Sequence, residues 1–428
     1  MRAMIEVARV TRTIGTVTLL TIGTAACADT LDRLIAVDIP DRILEATLED
    51  PAQASLLVRS AQTNFECAFG SYVVALGLVT DELDDASGAG DFIPFDRRDI
   101  RPGEGIFGTY AQNECDNLGV YGPVSRARWL ADQVRAKLEG WSDGQVPSRQ
   151  QKIATVAAYS GYALVLLGEG FCSAALDIGP ELTRAQILAQ AEDRFTRAIT
   201  AAQAASSALE RNWASIGRAR TRLNLGRTAD AVADAQTIPT GFAVQATADG
   251  QATAQRENRP YAWINRARRA TVSASFRNLE WQGSPDPRVP VSNGNRTGAD
   301  NVTPWWFQTK YGSEAASIPL ATWEEAQLIL AEVAGGQTAV GIINGLHSRA
   351  GLPPFTSTDA QVIAAQVREE RRRELFLESH RINDFIRFSL PLSPPAGAPY
   401  PRGGVYGSTT CLPLPDRERL NNPNIPDR

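Results

Sequence analysis

The sequence is poor in the side chains on which metal and acid–base chemistry usually depend. Only 2 of its 428 residues are histidine, and in the sequence neither His347 nor His380 belongs to a cluster of potential metal ligands. This scarcity argues against a histidine-based zinc or iron site and against histidine general-base catalysis. Basic residues are not in excess either, since 43 lysines and arginines stand against 48 acidic residues. Proteins that bind phosphate backbones carry a basic surplus, so no nucleic-acid partner is expected.

Motifs for nucleotide binding and hydrolysis are missing or out of context. The sequence has no GxxxxGK[ST] or HExxH pattern,. A literal GxGxxG occurs at 103–108, but the charged stretch 97–102 before it is not a buried strand, which indicates a loop. The acidic run at 81–85 could supply a carboxylate pair for glycoside hydrolysis, yet clustered acids on a polar loop are more typical of a solvated surface or a calcium-binding edge. No enzymatic activity, metal or cofactor is therefore predicted.

The N-terminus is predicted to be an export signal. Three arginines precede a stretch of apolar and small residues, 14–26, which ends at Cys27. As a helix this stretch covers roughly 20 Å, less than the roughly 30 Å of a bilayer core. The sequence Ala25-Ala26-Cys27 resembles the end of a bacterial lipoprotein signal, although Thr24 stands where an aliphatic residue is usual. We expect a signal peptide over 1–26 and a lipid on Cys27, with ordinary secretion and a free cysteine as the alternative.

Four further cysteines are available for disulfides in an oxidising compartment. They are Cys67, Cys115, Cys172 and Cys411. They allow up to two disulfides in three possible pairings, and the sequence does not choose among them. No CxxC pair occurs, which disfavours a redox or zinc-ribbon motif.

From about residue 50 to 236 the hydrophobic pattern is helical. In the stretch 153–167 apolar and small residues recur at intervals of three and four, which places them on one helix face. The same spacing recurs at Ala191, Phe195, Ala198 and Ala202. The segment 218–236 reads as a helix, a Leu-Gly-Arg turn and an alanine-rich second helix, and Pro239 follows. This arrangement resembles a tetratricopeptide unit, in which small side chains let two antiparallel helices approach closely.

Two stretches lack this regularity. Residues 237–318 are rich in glycine, proline, asparagine and threonine with scattered aromatic residues, and residues 80–112 are similar. Such long irregular stretches inside a compact domain are usually functional. Helical periodicity returns from 319, and a proline-rich tail begins at about 390.

The C-terminal third carries a series of short motifs in a fixed order. These are Asp286-Pro287-Arg288, Lys310-Tyr311, the segments 319–332, 343–353 and 367–388, and the tail residues 412–415, Glu418 and 422–424. In order and spacing they resemble the SusD/RagB family of surface lipoproteins, which work with TonB-dependent outer-membrane transporters. Two departures are Ser379, where the family usually has glycine, and the short length of the chain.

The resemblance implies an all-α fold, a tetratricopeptide-like helical scaffold with long irregular ligand-facing loops. It implies a single SusD-like domain over 27–428, made of the scaffold at 50–236, the loop-rich segment at 237–318 and C-terminal helices and tail at 319–428. The C-terminal motifs are expected to be structural rather than chemical. A buried helix face is predicted at Trp323, Ala326, Leu328, Ile329 and Val333.

Ion pairs are expected to hold the C-terminal helices together. The run 368–374 interleaves arginines and glutamates at i,i+3 and i,i+4, which predicts an ion-paired helix. We expect Glu325 and Glu332 to bind arginines of this run. Asp384 and Glu374 are expected to pair with guanidinium groups elsewhere in the region. The proposed partners are Arg349, Arg372 and Arg381.

The resemblance also implies a function. Family members are non-catalytic proteins on the outer face of the outer membrane, held by a lipid anchor. They capture an oligomeric nutrient, usually a glycan and in some members a peptide, and deliver it to a SusC-like TonB-dependent transporter. Glycan binding uses flat aromatic faces together with polar groups for the hydroxyls. The predicted ligand-binding residues are Trp281, Trp305, Trp306, Asp81, Phe95 and Arg97.

Three alternatives stay open at this point. Trp305 and Trp306 could be core residues that pack before Lys310. The ligand could be a peptide held by the same fold. The chain could instead be a periplasmic tetratricopeptide scaffold for protein assembly, with no nutrient to carry.

Overall fold

A computed structural model describes residues 48–103, 119–250, 256–420 and 422–426. The predicted signal peptide, Cys27, Cys115 and most of the GxGxxG stretch lie outside these residues. The chain divides into two compact units, Met1–Gln53 and Ala54–Arg428. The described part of the first unit contains a 3₁₀ turn at Pro51–Gln53.

The second unit is mainly helical, which confirms the predicted fold class. Its described α-helices are, in chain order, α1 (Ala54–Val79), α2 (Ile93–Asp96), α3 (Tyr121–Gly140), α4 (Arg149–Gly170), α5 (Arg184–Ala204), α6 (Ala208–Asn224), α7 (Thr228–Ala235), α8 (Trp323–Ala334), α9 (Gly336–Ala350), α10 (Ala360–Glu374), α11 (Arg381–Arg387) and α12 (Asp416–Leu420). Each of α3 to α6 packs against the helix that follows it. The predicted helix–turn–helix at 218–236 is present as the end of α6, a turn and α7.

Glycine allows the helices of this scaffold to approach closely. A Cβ added to Gly217 of α6 would lie 2.3 Å from Cζ of Phe195, and one added to Gly161 of α4 would lie 2.7 Å from its Cε1. The phenyl ring of Phe195, on α5, therefore packs against two glycines of neighbouring helices. The start of α5 is fixed by a capping box, in which Thr183 and Gln186 each bind the other's backbone N–H,.

The predicted faces of α4 and α5 are buried, although α4 is buried on almost every side. Helix α4 is long and apolar enough to cross a membrane, with a mean hydropathy of 1.3 over its most apolar window. That window is 94% buried inside the protein, so α4 is the central core helix of this unit.

The segments predicted as loops contain short strands. The antiparallel pairs among the described residues are β1 (Leu83–Asp85) with β5 (Ala270–Val272), β2 (Ser173–Ala175) with β3 (Glu181–Thr183), β4 (Ala243–Ala246) with β10 (Ile318–Thr322), β6 (Glu280–Trp281) with β7 (Ser284–Pro285), and β8 (Val291–Thr297) with β9 (Pro304–Gln308). The acidic run is thus not a solvated loop as predicted: Asp84 pairs with Thr271 and Asp85 with Ala270. Because hydrogen-bonded strands hold each other in place, the β1–β5 pair brings together the two irregular segments that contain residues 83–85 and 270–272.

The C-terminal helices form the predicted scaffold, with some different contacts. Ala326, Leu328 and Ile329 of α8 are buried as predicted, while Trp323 and Val333 are only partly buried. Helix α10 has the predicted internal ion pairs, since Glu369 binds arginines at i+3 and i+4.

Several predicted ion-pair partners were wrong. Arg371 binds Asp384 at 2.9 Å, and Arg288 lies 3.3 Å from Glu374. The predicted partners of these two acids bind elsewhere: Arg349 to Glu324, Arg372 to Glu369 and Arg381 to Asp81. Glu332 meets Arg371 of α10 as predicted, whereas Glu325 lies 3.7 Å from Arg220 of α6. The sequence spacing identified charged residues that are paired but not which residue pairs with which.

One disulfide joins the scaffold to the tail. Cys172, just after α4, bonds to Cys411, and their Cα atoms are 5.1 Å apart. Cys67 of α1 is also disulfide-bonded. The Cys172–Cys411 pairing resolves part of the choice that the sequence left open.

Candidate functional site

A cavity of about 350 Å³ opens where β1 meets the segments that follow β5 and β8 and the proline-rich tail. Its lining consists of acidic, hydroxyl and aromatic side chains with a few apolar ones. The lining residues are Asp81, Asp84, Asp85, Asp96, Ser273, Ala274, Ser275, Val302, Thr303, Ser393, Pro394, Tyr400, Pro401, Arg402 and Tyr406. We call this the Asp/Tyr cavity. It collects residues from four regions of the sequence that are up to 325 positions apart (406 minus 81).

Arg402 connects the tail to the acidic strand. Its Nε lies 3.0 Å from Oδ2 of Asp85, whose side chain is fully buried. The same guanidinium binds Asp300, so one cation bridges two carboxylates from different segments. Asp85 also accepts hydrogen bonds from the backbone N–H and the hydroxyl of Ser87, at 2.8 and 2.6 Å. Donors from its own loop and from the tail therefore hold the Asp85 carboxylate in place,.

Two tyrosines of the tail also line the cavity, although both are largely buried. Tyr400 and Tyr406 pack edge to face, with ring centroids 5.0 Å apart. The guanidinium of Arg98 lies over the Tyr406 ring, 4.7 Å from its centroid, and donates to the carbonyls of Ser393 and Pro394. The contact between the two rings and the contact of Arg98 with Tyr406 fix the positions of both rings. They also hold the tail against the segment that follows α2.

Asp96 is an unusual carboxyl group because it is buried beside other acids. The hydroxyl of Tyr400 donates to its Oδ2 at 2.8 Å. Burial, and then the charge of Asp84, raise the pKa of Asp96 to about 7. The group is therefore partly protonated near neutral pH and can both donate and accept a hydrogen bond.

Asp84 is the most solvent-accessible carboxylate of the cavity. Its side chain is 41% exposed, and its Oδ1 accepts a hydrogen bond from the hydroxyl of Ser273. The nearest guanidinium, that of Arg277, is 3.7 Å from Oδ2. Of the four lining aspartates, Asp84 is the one best placed to accept hydrogen bonds from a ligand.

Asp81 is held by the C-terminal scaffold. Arg381 donates from Nε to Oδ1 at 2.6 Å and from a terminal nitrogen to Oδ2 at 2.7 Å. Directly behind it, Glu82 is buried and accepts from the backbone N–H of Leu377 at 2.8 Å. Burial raises the pKa of Glu82 to about 7, and the neighbouring Asp81 adds to that rise.

The six predicted ligand residues do not come together. Asp81 lines the cavity, while Phe95 does not and is buried at 1% exposure. Arg97 binds Asp99 at 2.9 Å and does not line the cavity. Trp306 is half-buried beneath Arg277, which lies 5.3 Å from its ring centroid.

The other two tryptophans serve packing. Trp305 is 6% exposed, and its indole N–H donates to the carbonyl of Ile264 at 2.7 Å. The indole of Trp281 packs against His347 and donates to the carbonyl of Pro353 at 2.9 Å. For Trp305 the core alternative raised from the sequence is therefore the observed one.

The sequence prediction missed most of the cavity. It omitted Asp96, Tyr400, Arg402 and Tyr406, which line the space. The only local signal was a tail in which two tyrosines and an arginine stand among glycines and prolines at 397–406. Rigid aromatic residues in a turn-rich segment are typical of a binding surface.

Chemically, the cavity suits a ligand with many hydroxyl groups. Carboxylates accept hydrogen bonds from hydroxyls, and serine and threonine hydroxyls both donate and accept. Val302, 75% exposed at the rim, adds an apolar surface. Within the described chain no group of histidine, cysteine, aspartate and glutamate has an arrangement that could hold a metal ion.

Comparison with known proteins agrees with this fold. Residues 325–424 match the family model described as the SusD family. No curated protein matches the sequence. Among solved structures, a SusD-like carbohydrate binding protein from Bacteroides vulgatus is 15% identical with a TM-score of 0.62, and the match covers 88% of this chain and 97% of that one.

Two further structures give the same result. A SusD superfamily protein from Parabacteroides distasonis is 13% identical with a TM-score of 0.65, over 87% of this chain and 98% of that one. Surface glycan-binding protein A from Bacteroides thetaiotaomicron, in complex with laminarihexaose, is 13% identical with a TM-score of 0.63, over 88% and 98% of the two chains. The resemblance to the SusD/RagB family that the sequence motifs indicate is therefore borne out by the family model over 325–424, and the solved structures share the fold over most of the chain.

Proposed function

We propose that this protein is a non-catalytic nutrient-binding lipoprotein of the cell surface, and that it binds an oligosaccharide in the Asp/Tyr cavity. The observation that carries the proposal is the cavity itself, in which aspartates, serine and threonine hydroxyls and two fixed tyrosines converge. The polar groups of this lining match the hydroxyl groups of a sugar, and the exposed Val302 at the rim offers an apolar surface to its CH faces,. Related structures named for carbohydrate or laminarihexaose binding support this ligand class.

Delivery to a transporter is the second part of the proposal. A binding protein of this fold, lipidated on Cys27, would stay on the outer membrane and pass its ligand to a SusC-like TonB-dependent barrel. The predicted lipid anchor and the family motifs at 286–425 support this role. Co-isolation of the tagged full-length protein from its native membranes in mild detergent tests it, and we expect one stoichiometric barrel. Soluble periplasmic partners without a barrel would instead favour the protein-assembly scaffold.

The binding site is tested by closing the cavity. Ala274 lines the opening and is solvent-exposed, so Ala274→Trp should obstruct the space without disturbing the core. We expect a glycan-array screen with the wild-type protein to give one or more bound oligosaccharides, and calorimetric titration of that ligand into Ala274→Trp to give no binding.

A matched variant controls for the added tryptophan. Ala204, at the end of α5, is also exposed and does not line the cavity, so Ala204→Trp should bind as the wild type does. Equal loss in both variants, or normal binding by Ala274→Trp, would contradict the proposed site. If the protein bound peptides but no glycan, the proposed ligand would be a peptide instead of an oligosaccharide.

A further inference from the structure

We propose that the Asp/Tyr cavity selects neutral or amine-bearing oligosaccharides and rejects acidic ones, with Asp84 as the main determinant of this selectivity. This inference rests on the proposed glycan-binding function and specifies the ligand class of the same site. It follows from which charges face the cavity and which of them are already neutralised.

The charges that face the cavity are mostly negative. Among the described residues that line it, four are aspartates and Arg402 is the one cation. Arg402 is already bound to the carboxylates of both Asp85 and Asp300. A ligand carboxylate or sulfate at Arg402 would therefore have to compete with two fixed anions.

The neighbouring cations are engaged as well. Arg381 is held by both oxygens of Asp81. Arg98 donates to two main-chain carbonyls and lies over the Tyr406 ring. Arg277 lies over the ring of Trp306 and 3.7 Å from Asp84. Each of these guanidinium groups faces an acceptor of the protein, so a ligand anion finds carboxylates and no uncommitted cation in the described part of the lining.

Asp84 is the group that a ligand would meet first. Its side chain is 41% exposed, whereas that of Asp81 is 11% exposed and that of Asp85 is fully buried. The free acceptor capacity of Asp84 suits a sugar hydroxyl or an ammonium group. A uronic-acid carboxylate at the same distance would be repelled, and like charges brought together at an interface carry a substantial penalty.

Loss of the Asp96 proton strengthens the effect as pH rises. The pKa of Asp96 is raised to about 7, first by burial and then by Asp84, and its partner is the Tyr400 hydroxyl. Between pH 6 and pH 8 it loses its proton and adds a negative charge to a lining that already contains Asp81 and Asp85. Burial also raises the pKa of Asp84, so its charge changes with pH in the same direction. Discrimination against an acidic ligand should therefore be larger at pH 8 than at pH 6.

The test compares two forms of one molecule. The probe is the neutral hexasaccharide that binds best in the glycan screen, titrated beside the same hexasaccharide with its primary hydroxyls oxidised to carboxylates. We expect the oxidised form to bind at least about tenfold more weakly to the wild-type protein at low salt. The difference should shrink as salt is raised, because screening weakens charge repulsion at an open site.

Two variants test whether Asp84 causes the discrimination against the oxidised hexasaccharide. Asp84→Asn removes the charge but keeps the shape, and should reduce the discrimination to about threefold or less. Asp143→Asn makes the same charge change at a side chain that is 72% exposed and outside the cavity, and should leave the discrimination unchanged. An equal effect of both variants would overturn the role of Asp84.

The outcomes separate this inference from the proposed function. Equal or tighter binding of the oxidised hexasaccharide, or a screen in which acidic glycans bind best, would overturn the selectivity while leaving glycan binding intact. Failure of every neutral and acidic glycan to bind would overturn both.

Discussion

The guanidinium of Arg381 binds both oxygens of Asp81, at 2.6 and 2.7 Å, across 300 positions of sequence. Asp81 lines the Asp/Tyr cavity, and Arg381 begins α11 in the motif region that the sequence identified as scaffold. The pair therefore connects the scaffold directly to the candidate binding site. Both side chains are only 11% exposed, so the interaction is shielded from solvent.

Removing one partner of this pair should destabilise the protein strongly. In Arg381→Ala the Asp81 carboxylate is left nearly buried without its cation, and we expect the free energy of unfolding to fall by about 3 kcal/mol. Urea denaturation measures this, and glycan affinity should fall as well because Asp81 loses its fixed position. The matched control is Arg349→Ala, since Arg349 is 47% exposed and pairs with Glu324 on the surface. That change should cost less than about 1 kcal/mol. Equal losses in the two variants would show that the Arg381–Asp81 pair is no stronger than a surface ion pair.

The buried carboxyl group of Glu82 should make stability depend on pH. Its pKa is about 7 in the folded protein, against an ordinary value of 4.5. Between those values the folded state binds the proton more tightly than the unfolded state does. The stabilising contribution is therefore complete below about pH 4.5 and is lost as pH rises through 7.

The variant Glu82→Gln tests this directly. The amide oxygen can still accept the hydrogen bond from Leu377, but the group no longer titrates. We expect the fall in unfolding free energy between pH 5 and pH 8 to be smaller than in the wild type, by on the order of 2 kcal/mol. The measurement is urea denaturation at each pH. Identical pH profiles for the two proteins would show that Glu82 is charged throughout this range.

The helical scaffold could be predicted from the sequence because each helix and turn is determined mainly by residues close together in the sequence. The spacing of Ala191, Phe195 and Ala198 defines one helix face, and all three are buried in α5. The Leu-Gly-Arg turn between α6 and α7 carries its own signal, since Gly226 has a φ of +74°, a backbone conformation that favours glycine. These features need no knowledge of distant parts of the chain.

The cavity could not be predicted in the same way because it depends on long-range pairing. Asp84 and Ser273 meet only because β1 pairs with β5, and two-stranded pairs of three residues leave almost no periodicity in the sequence. The sequence favours a solvated surface for the acidic run because the cations that neutralise it, Arg381 and Arg402, lie about 300 positions away. The sequence analysis named Asp81 as a ligand-binding residue but did not name Tyr400 or Tyr406, which line the same cavity.

A substitution at Trp281 tests whether this residue binds the ligand, as the sequence predicts, or only packs against the C-terminal helices, as in the structure. If it packs against the C-terminal helices as observed, Trp281→Ala should lower the free energy of unfolding by about 2 kcal/mol, because the half-buried indole loses its contacts and its hydrogen bond to Pro353. Glycan affinity of the folded variant should not change. Calorimetric titration below the melting temperature checks the affinity, and thermal denaturation checks the stability. A tenfold loss of affinity with unchanged stability would restore Trp281 to the binding site.

The Cys172–Cys411 disulfide closes a loop of 239 positions and should stabilise the fold through the unfolded state. Replacing both cysteines with serine should lower the free energy of unfolding by about 2 to 5 kcal/mol. Denaturation of the variant under oxidising conditions measures this loss, and adding reductant to the variant tests for any contribution of other disulfides. Cys411 follows Tyr400 and Tyr406 closely in the tail, so glycan affinity should fall together with stability. Unchanged stability would mean that the tail is held by its other contacts alone.

The close packing of the scaffold makes one glycine more favourable than alanine inside a helix. Gly217→Ala places a Cβ 2.3 Å from Cζ of Phe195, and the strain should outweigh the helix propensity gained, for a net loss of about 1 to 3 kcal/mol. Gly341, in the middle of α9, is the matched control because no heavy atom lies within 4 Å of an added Cβ. Gly341→Ala should stabilise the protein by about 0.5 to 1 kcal/mol.

A second change shows whether Phe195 is the cause. Replacing Phe195 with leucine in the Gly217→Ala background should relieve the overlap, so the double variant should be more stable than the sum of the two single changes predicts. Urea denaturation of the four proteins of this cycle gives the coupling energy. If Gly217→Ala stabilises the protein as Gly341→Ala does, the helices α5 and α6 are farther apart than described, and the tetratricopeptide-like packing does not depend on a glycine at this contact.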